Sequence, residues 1–134
     1  MHATIIAQLS GYLKNLLSAH HLEFNENLHQ NLPEEQGIYV ISRIDQPSVA
    51  IRAGRTPSAK GGLRQRVYGN HFMGNQSGNL RKQLINGGVC QTLEEAKEHI
   101  RQYMQVQVLV IADNEQRKRA EYFMLAVLNP KYSS

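Results

Sequence analysis

The sequence predicts a small α/β fold of the α+β kind: a three-stranded antiparallel sheet flanked by helices, with an added N-terminal helix. Three observations carry that prediction. Two β-rich runs separated by turn residues form a hairpin over 38–53. A third, alternating run follows far downstream at 104–112, and segments of helical period fill the space before, between and after the strands. At 134 residues the chain suits one domain with a working core. Residues 1–35 read as a helix and connection packed on the domain formed by 36–134.

Taken in order, residues 4–21 place Ile5, Ile6, Leu9, Tyr12, Leu13, Leu16 and Leu17 at helical spacing. The polar face lacks the Lys/Arg enrichment of a membrane-surface helix, so this segment is expected to pack on the core. Glu23 to Gln36 is polar, contains Pro33 and reads as a connection. Ile38 to Ile44 is dense in β-branched and aromatic residues, Asp45-Gln46-Pro47-Ser48 has turn chemistry, and Val49 to Ala53 returns. Gly54 to Gly62 reads as a loop, followed by a short helix with Leu63 and Val67 inward. Gly69 to Gly78 is again loop-like, and Asn79 to Asn86 forms a helix. Thr92 and Glu95 make a capping box that starts a helix to about Tyr103. Met104 to Ala112 is the third strand. Glu115 to Leu128 is the last helix, ending before Pro130.

Composition excludes several classes. One cysteine, Cys90, rules out a disulfide framework and a Cys-based zinc site. The six histidines show no metal-ligand spacing. The residues at the start lack the pattern of a signal peptide and no apolar run approaches spanning length, so no membrane is involved and the cytoplasm is the expected compartment. Gly54 to Lys60 lacks the Gly-Lys-Ser/Thr ending of a nucleotide-binding P-loop.

The net charge of +4 is modest, but it is unevenly spread. Residues 46–93 carry Arg52, Arg55, Lys60, Arg64, Arg66, Arg81 and Lys82 and no acid, while residues 1–45 are net acidic and 94–134 balance. An acid-free basic block attracts polyanions, and nucleic acid is the expected partner. A solvated basic surface with no partner is the plainer alternative.

The ordered set Gly37-Ile38-Tyr39, Arg52-Ala53-Gly54, Arg66, His71, Glu121 and Pro130 resembles the GIY-YIG nuclease superfamily across residues 36–132. The resemblance implies a three-stranded antiparallel sheet with helices and a metal-dependent endonuclease that hydrolyses DNA phosphodiester bonds. It makes Tyr39 the residue that helps deprotonate the attacking water and Arg66 the grip on the scissile phosphate. It gives His71 proton transfer or phosphate binding, and Glu121 a divalent cation, Mg²⁺ or Mn²⁺. Arg52, Arg55, Lys60, Arg64, Arg81 and Lys82 are then expected to position the nucleic-acid backbone. The chain departs from the family at three points. Arg52 stands where the second motif tyrosine is expected, with Tyr68 a candidate replacement hydroxyl. His71 follows Arg66 by five residues where many members have four, and Lys131-Tyr132-Ser133 replaces a closing asparagine.

The chemistry suits these residue types. A guanidinium grips two phosphate oxygens at once, and phosphoryl transfer needs charge stabilisation and positioning above all. One carboxylate with waters and substrate oxygens is a normal Mg²⁺ site. A phenol works as a base only with cations beside it, a part open to Arg55 and Arg66. Glu121 has an ordinary reading too, as an i,i+4 ion pair with Arg117. Two other functions stay open: a GIY-YIG-like module that binds nucleic acid without turnover, and a protein-interaction domain with a basic surface.

Overall fold

In the computed structural model, residues 2–74 and 79–132 are described. Helix α1 spans His2–Ser18 and ends short of the predicted residue 21, where the Ala19 amide bonds back to the Leu16 carbonyl. A two-residue strand β1 (Leu22–Glu23) and a single helical turn α2 (Leu28–Asn31) follow. Strands β2 (Gly37–Arg43) and β3 (Gln46–Arg55) form the hairpin. A nine-residue π-helix, Arg64–Phe72, comes next. Then come α3 (Leu80–Asn86), α4 (Leu93–Tyr103), strand β4 (Met104–Val110) and α5 (Asn114–Leu128).

The sheet is four-stranded, in the order β1-β4-β2-β3, and every pair is antiparallel. The expectation of three strands is corrected by β1. Its Leu22 and Glu23 pair with Val106 and Gln105 on the outer edge of β4. Two residues are too few to show a period of two, so only the tertiary pairing makes this a strand. The hairpin turn is also tighter than expected. Arg43 pairs with Gln46, leaving Ile44-Asp45 as the turn, and Pro47 lies within β3. An edge strand tolerates that proline because its missing N–H need not face a neighbour.

The sheet separates two cores. On one face Tyr39, Ile41 and Val106 pack with Val67 and Phe72 of the π-helix, Leu80 and Leu84 of α3, and Ala96 and Ile100 of α4. On the other, Ile38, Val40 and Ala53 meet Leu16 of α1 and Ala120 and Met124 of α5. Gln107 is buried on this second face, where its amide donates to the Leu17 and Ala19 carbonyls at 3.0 and 2.9 Å and so caps the end of α1. The capping box forms as expected, with the Thr92 hydroxyl accepting from the Glu95 amide at 3.1 Å. Its reciprocal bond goes one residue early, from the Gln91 amide to the Glu95 carboxylate. Among the described residues, no helix is long and apolar enough to cross a membrane.

Candidate functional site

Tyr39 lies opposite Gly54 in the hairpin, and Arg52 lies opposite Ile41. Directly opposed residues of an antiparallel pair share a face, so Tyr39 and Arg52 both point to the first core. The register is regular from Ile38 and Arg55 to Ile41 and Arg52; a β-bulge follows on the turn side, where Ser42 opposes Ala50 and leaves Ile51 as the extra residue. Gly54 is required by Tyr39. A Cβ there would lie 2.7 Å from the tyrosine hydroxyl, so only glycine lets the ring cross its partner strand.

The fully buried Tyr39 hydroxyl meets the fully buried His71 Nε2 at 2.7 Å. The second imidazole nitrogen fixes the direction of that bond. His71 Nδ1 accepts from the Leu80 amide at 3.1 Å, so the proton of a neutral ring sits on Nε2 and is donated to the tyrosine oxygen. Burial, then the positive charges of Arg52 and Arg66, hold the His71 pKa well below its usual value. The ring is therefore neutral at pH 7, and both its nitrogens are engaged.

The five-residue spacing of Arg66 and His71 is resolved by the backbone. On an α-helix, residues five apart point about 140° away from each other. The segment is a π-helix instead, and i→i+5 hydrogen bonding stacks residues five apart on one side. The helix also runs to Phe72, through part of the stretch expected to be loop; the last four residues of that stretch, 75–78, lie outside the described residues. Arg66 is partly buried, and among the described residues its guanidinium makes no ion pair while its buried Nε has no hydrogen-bond partner.

Glu121 comes from α5 on the other face and reaches the same strand end. Its carboxylate accepts from the Arg55 backbone amide at 3.1 Å and pairs with Arg55 Nε at 3.0 Å. That amide points off the open edge of β3, which explains why a carboxylate satisfies it. The i,i+4 pairing with Arg117 does not form. Arg117 is buried and donates to the carbonyls of Thr56, Ile111 and Ala112 at 3.0, 2.9 and 3.0 Å, as well as to Ser58 and Asn114. It ties the ends of β3 and β4 to the start of α5, and so positions Glu121 one turn further on.

The remaining basic residues divide. Arg52 is buried and donates to the Gln83 side chain at 2.8 Å. Arg64 donates to the Leu32 carbonyl and pairs with Glu34 at 2.8 Å. Arg81, expected on the nucleic-acid surface, is buried and clamps the carbonyls of Leu93 and Gly74. Lys60 is exposed and Lys82 half-buried, and among the described residues neither ammonium group makes an ion pair. Tyr68 turns to His29 and Phe72, with ring centroids 5.1 and 5.8 Å away. Gln83 escaped the sequence reading and Arg117 entered it only as an ion-pair partner for Glu121, because a glutamine or arginine in a helix carries no sign of a distant partner.

No group of three or more potential metal ligands forms among the described residues. Compared with known proteins, the chain matches no family model, and no curated protein or solved structure matches it at a significant level.

Proposed function

We propose that the chain is a metal-dependent, GIY-YIG-type endonuclease domain that hydrolyses DNA phosphodiester bonds. The observation that supports this reading best is the Tyr39–His71 hydrogen bond together with Arg66 on the same helix, whose guanidinium makes no ion pair among the described residues. A partly buried guanidinium without a counter-charge among the described residues is costly unless an anion completes it. A phosphate oxygen pair is the natural anion for its fork of donors. In this reading His71 acts as a positioning residue. It donates from Nε2 to the phenol oxygen and would so steady the phenolate form of Tyr39, which would take a proton from the attacking water.

A divalent cation would take Glu121 as its one carboxylate. Glu121 supplies one carboxylate at the β3 edge, one residue from the glycine that Tyr39 crosses, and the Arg55 guanidinium now sits where a cation would neutralise it. Mg²⁺ or Mn²⁺ held by that carboxylate, waters and substrate would supply charge neutralisation at the phosphate. Arg55 must turn away for this, which frees a second guanidinium for the DNA backbone.

A second reading, phosphate binding without turnover, is favoured by the complete burial of Tyr39 and His71 and by the engagement of both Glu121 oxygens. One experiment separates the two. Plasmid and oligonucleotides are incubated with the purified protein in Mg²⁺ and in EDTA, with binding measured in parallel. Cleavage in Mg²⁺ alone supports the nuclease; binding in both buffers without cleavage in either supports the binding module.

A further inference from the structure

The outward side of the π-helix borders a cavity of about 450 Å³ that the nuclease reading leaves unused, lined by Gln65, Tyr68 and Gly69 of that helix with His29, Glu34 and Gly61. The volume falls within the roughly 300–1,000 Å³ typical of small-ligand sites. Tyr68 and His29 form an aromatic corner, their rings 5.1 Å apart at 79°, so a flat ring stacked on one meets the edge of the other. Gln65 presents an exposed amide that a hydrogen bond to Asn70 orients. A Cβ at Gly61 would come 2.7 Å from Gln65 Cβ, and one at Gly69 would come 2.6 Å from Gln65 Nε2. The two glycines thus leave just enough room for this side chain, and Asn70 accepts from its Nε2 at 3.2 Å. One amide oxygen and one N–H remain for a ligand. Across the cavity, the Glu34 carboxylate is held by Arg64, whose own Nε is fixed to the Leu32 carbonyl.

A stacking corner with a pre-oriented amide and a carboxylate–guanidinium pair is a set of groups that reads the edge of a planar heterocycle. We propose that this slot holds an unpaired nucleobase of the strand whose phosphate Arg66 grips, so that single-stranded or locally opened nucleic acid is the preferred substrate. The inference rests on the phosphate-site reading, since Arg66 follows Gln65 directly on the helix. Bases inside a duplex cannot enter, because their faces and edges are already used.

The test is fluorescence polarisation in EDTA with a labelled single-stranded oligonucleotide and the matching duplex. Proteins compared are wild type, Gln65→Ala, Tyr68→Ala, Tyr68→Phe and Arg66→Ala. Loss of one base-stacking contact costs about 1–3 kcal/mol, so Tyr68→Ala is expected to weaken single-strand binding roughly tenfold and Tyr68→Phe to leave it intact. Gln65 is exposed, so its alanine variant keeps the fold; it should weaken single-strand binding and leave duplex binding unchanged. Single-strand binding that Gln65→Ala and Tyr68→Ala leave at the wild-type level, or weaken equally with duplex binding, overturns the slot while the phosphate site stands. Wild-type binding that Arg66→Ala leaves unchanged, or no binding of either probe, overturns the phosphate site and the slot with it.

Discussion

His71 is the residue at which stability and the proposed chemistry meet. Burial first, and then Arg52 and Arg66, depress its folded-state pKa, whereas the unfolded chain carries an ordinary histidine near ~6.5. Below that pH the unfolded state binds a proton that the folded state refuses. The stabilisation is therefore complete above about pH 6.5 and is lost as the pH falls from there through the folded-state value, by at most about 1.4 kcal/mol per pH unit. Thermal denaturation across this range should show a falling Tm, with His71→Gln flattening the slope. His99 is shifted the same way by burial and Arg43, so His99→Gln serves as the comparison and should flatten it less. An unchanged slope in His71→Gln would contradict the neutral, doubly bonded ring. Arg81 and Lys82, adjacent in sequence, should separate cleanly. Arg81→Ala removes charged hydrogen bonds to two carbonyls and is expected to cost about 2 kcal/mol in chemical denaturation. Lys82→Ala should leave stability alone and weaken only nucleic-acid binding.

At the scale of elements, the π-helix and the Gly54 crossing set the site. Gly54→Ala would push a methyl to 2.7 Å from the Tyr39 hydroxyl, so it should destabilise by about 1–3 kcal/mol and break the Tyr39–His71 bond. The NMR signal of the His71 Nε2 proton reads that bond directly, and its survival in the variant would refute the crossing argument. The hairpin, the capped α4, β4 and α5 were legible because period, caps and turn residues act locally. β1 was not legible, since an edge of β4 defines it, and neither was the π-helix. Nothing in Arg64–Phe72 distinguishes i→i+4 from i→i+5 bonding; packing of Val67, His71 and Phe72 into the core does. Within the site, the Tyr39–His71 pair could be anticipated only through the ordered motif. The Arg55–Glu121 pair could not, because it joins residues 66 positions apart at a strand edge.

For the whole molecule, the fold rearranges the meaning of the basic block. Seven cations lie in residues 46–93, yet Arg81 is a structural clamp, Arg64 and Arg55 pair with acids, and Arg52 is held by Gln83. Arg66, Lys60 and Lys82 remain as the cations open to phosphate. Counterion release then predicts a slope of log K against log salt near about −3, not the roughly −6 that the whole block would give. Release of Arg55 by a divalent cation at Glu121 should steepen the slope in Mg²⁺ relative to a monovalent control of equal ionic strength. The most direct test of the phosphate site is the rate at which supercoiled plasmid is nicked in Mg²⁺ by wild type and by Arg66→Ala, with folding of both verified by circular dichroism. The arrangement predicts nicking by the wild type and a loss of at least about a hundredfold in the variant, the scale of a removed transition-state donor. Nicking by Arg66→Ala at the wild-type rate would contradict it.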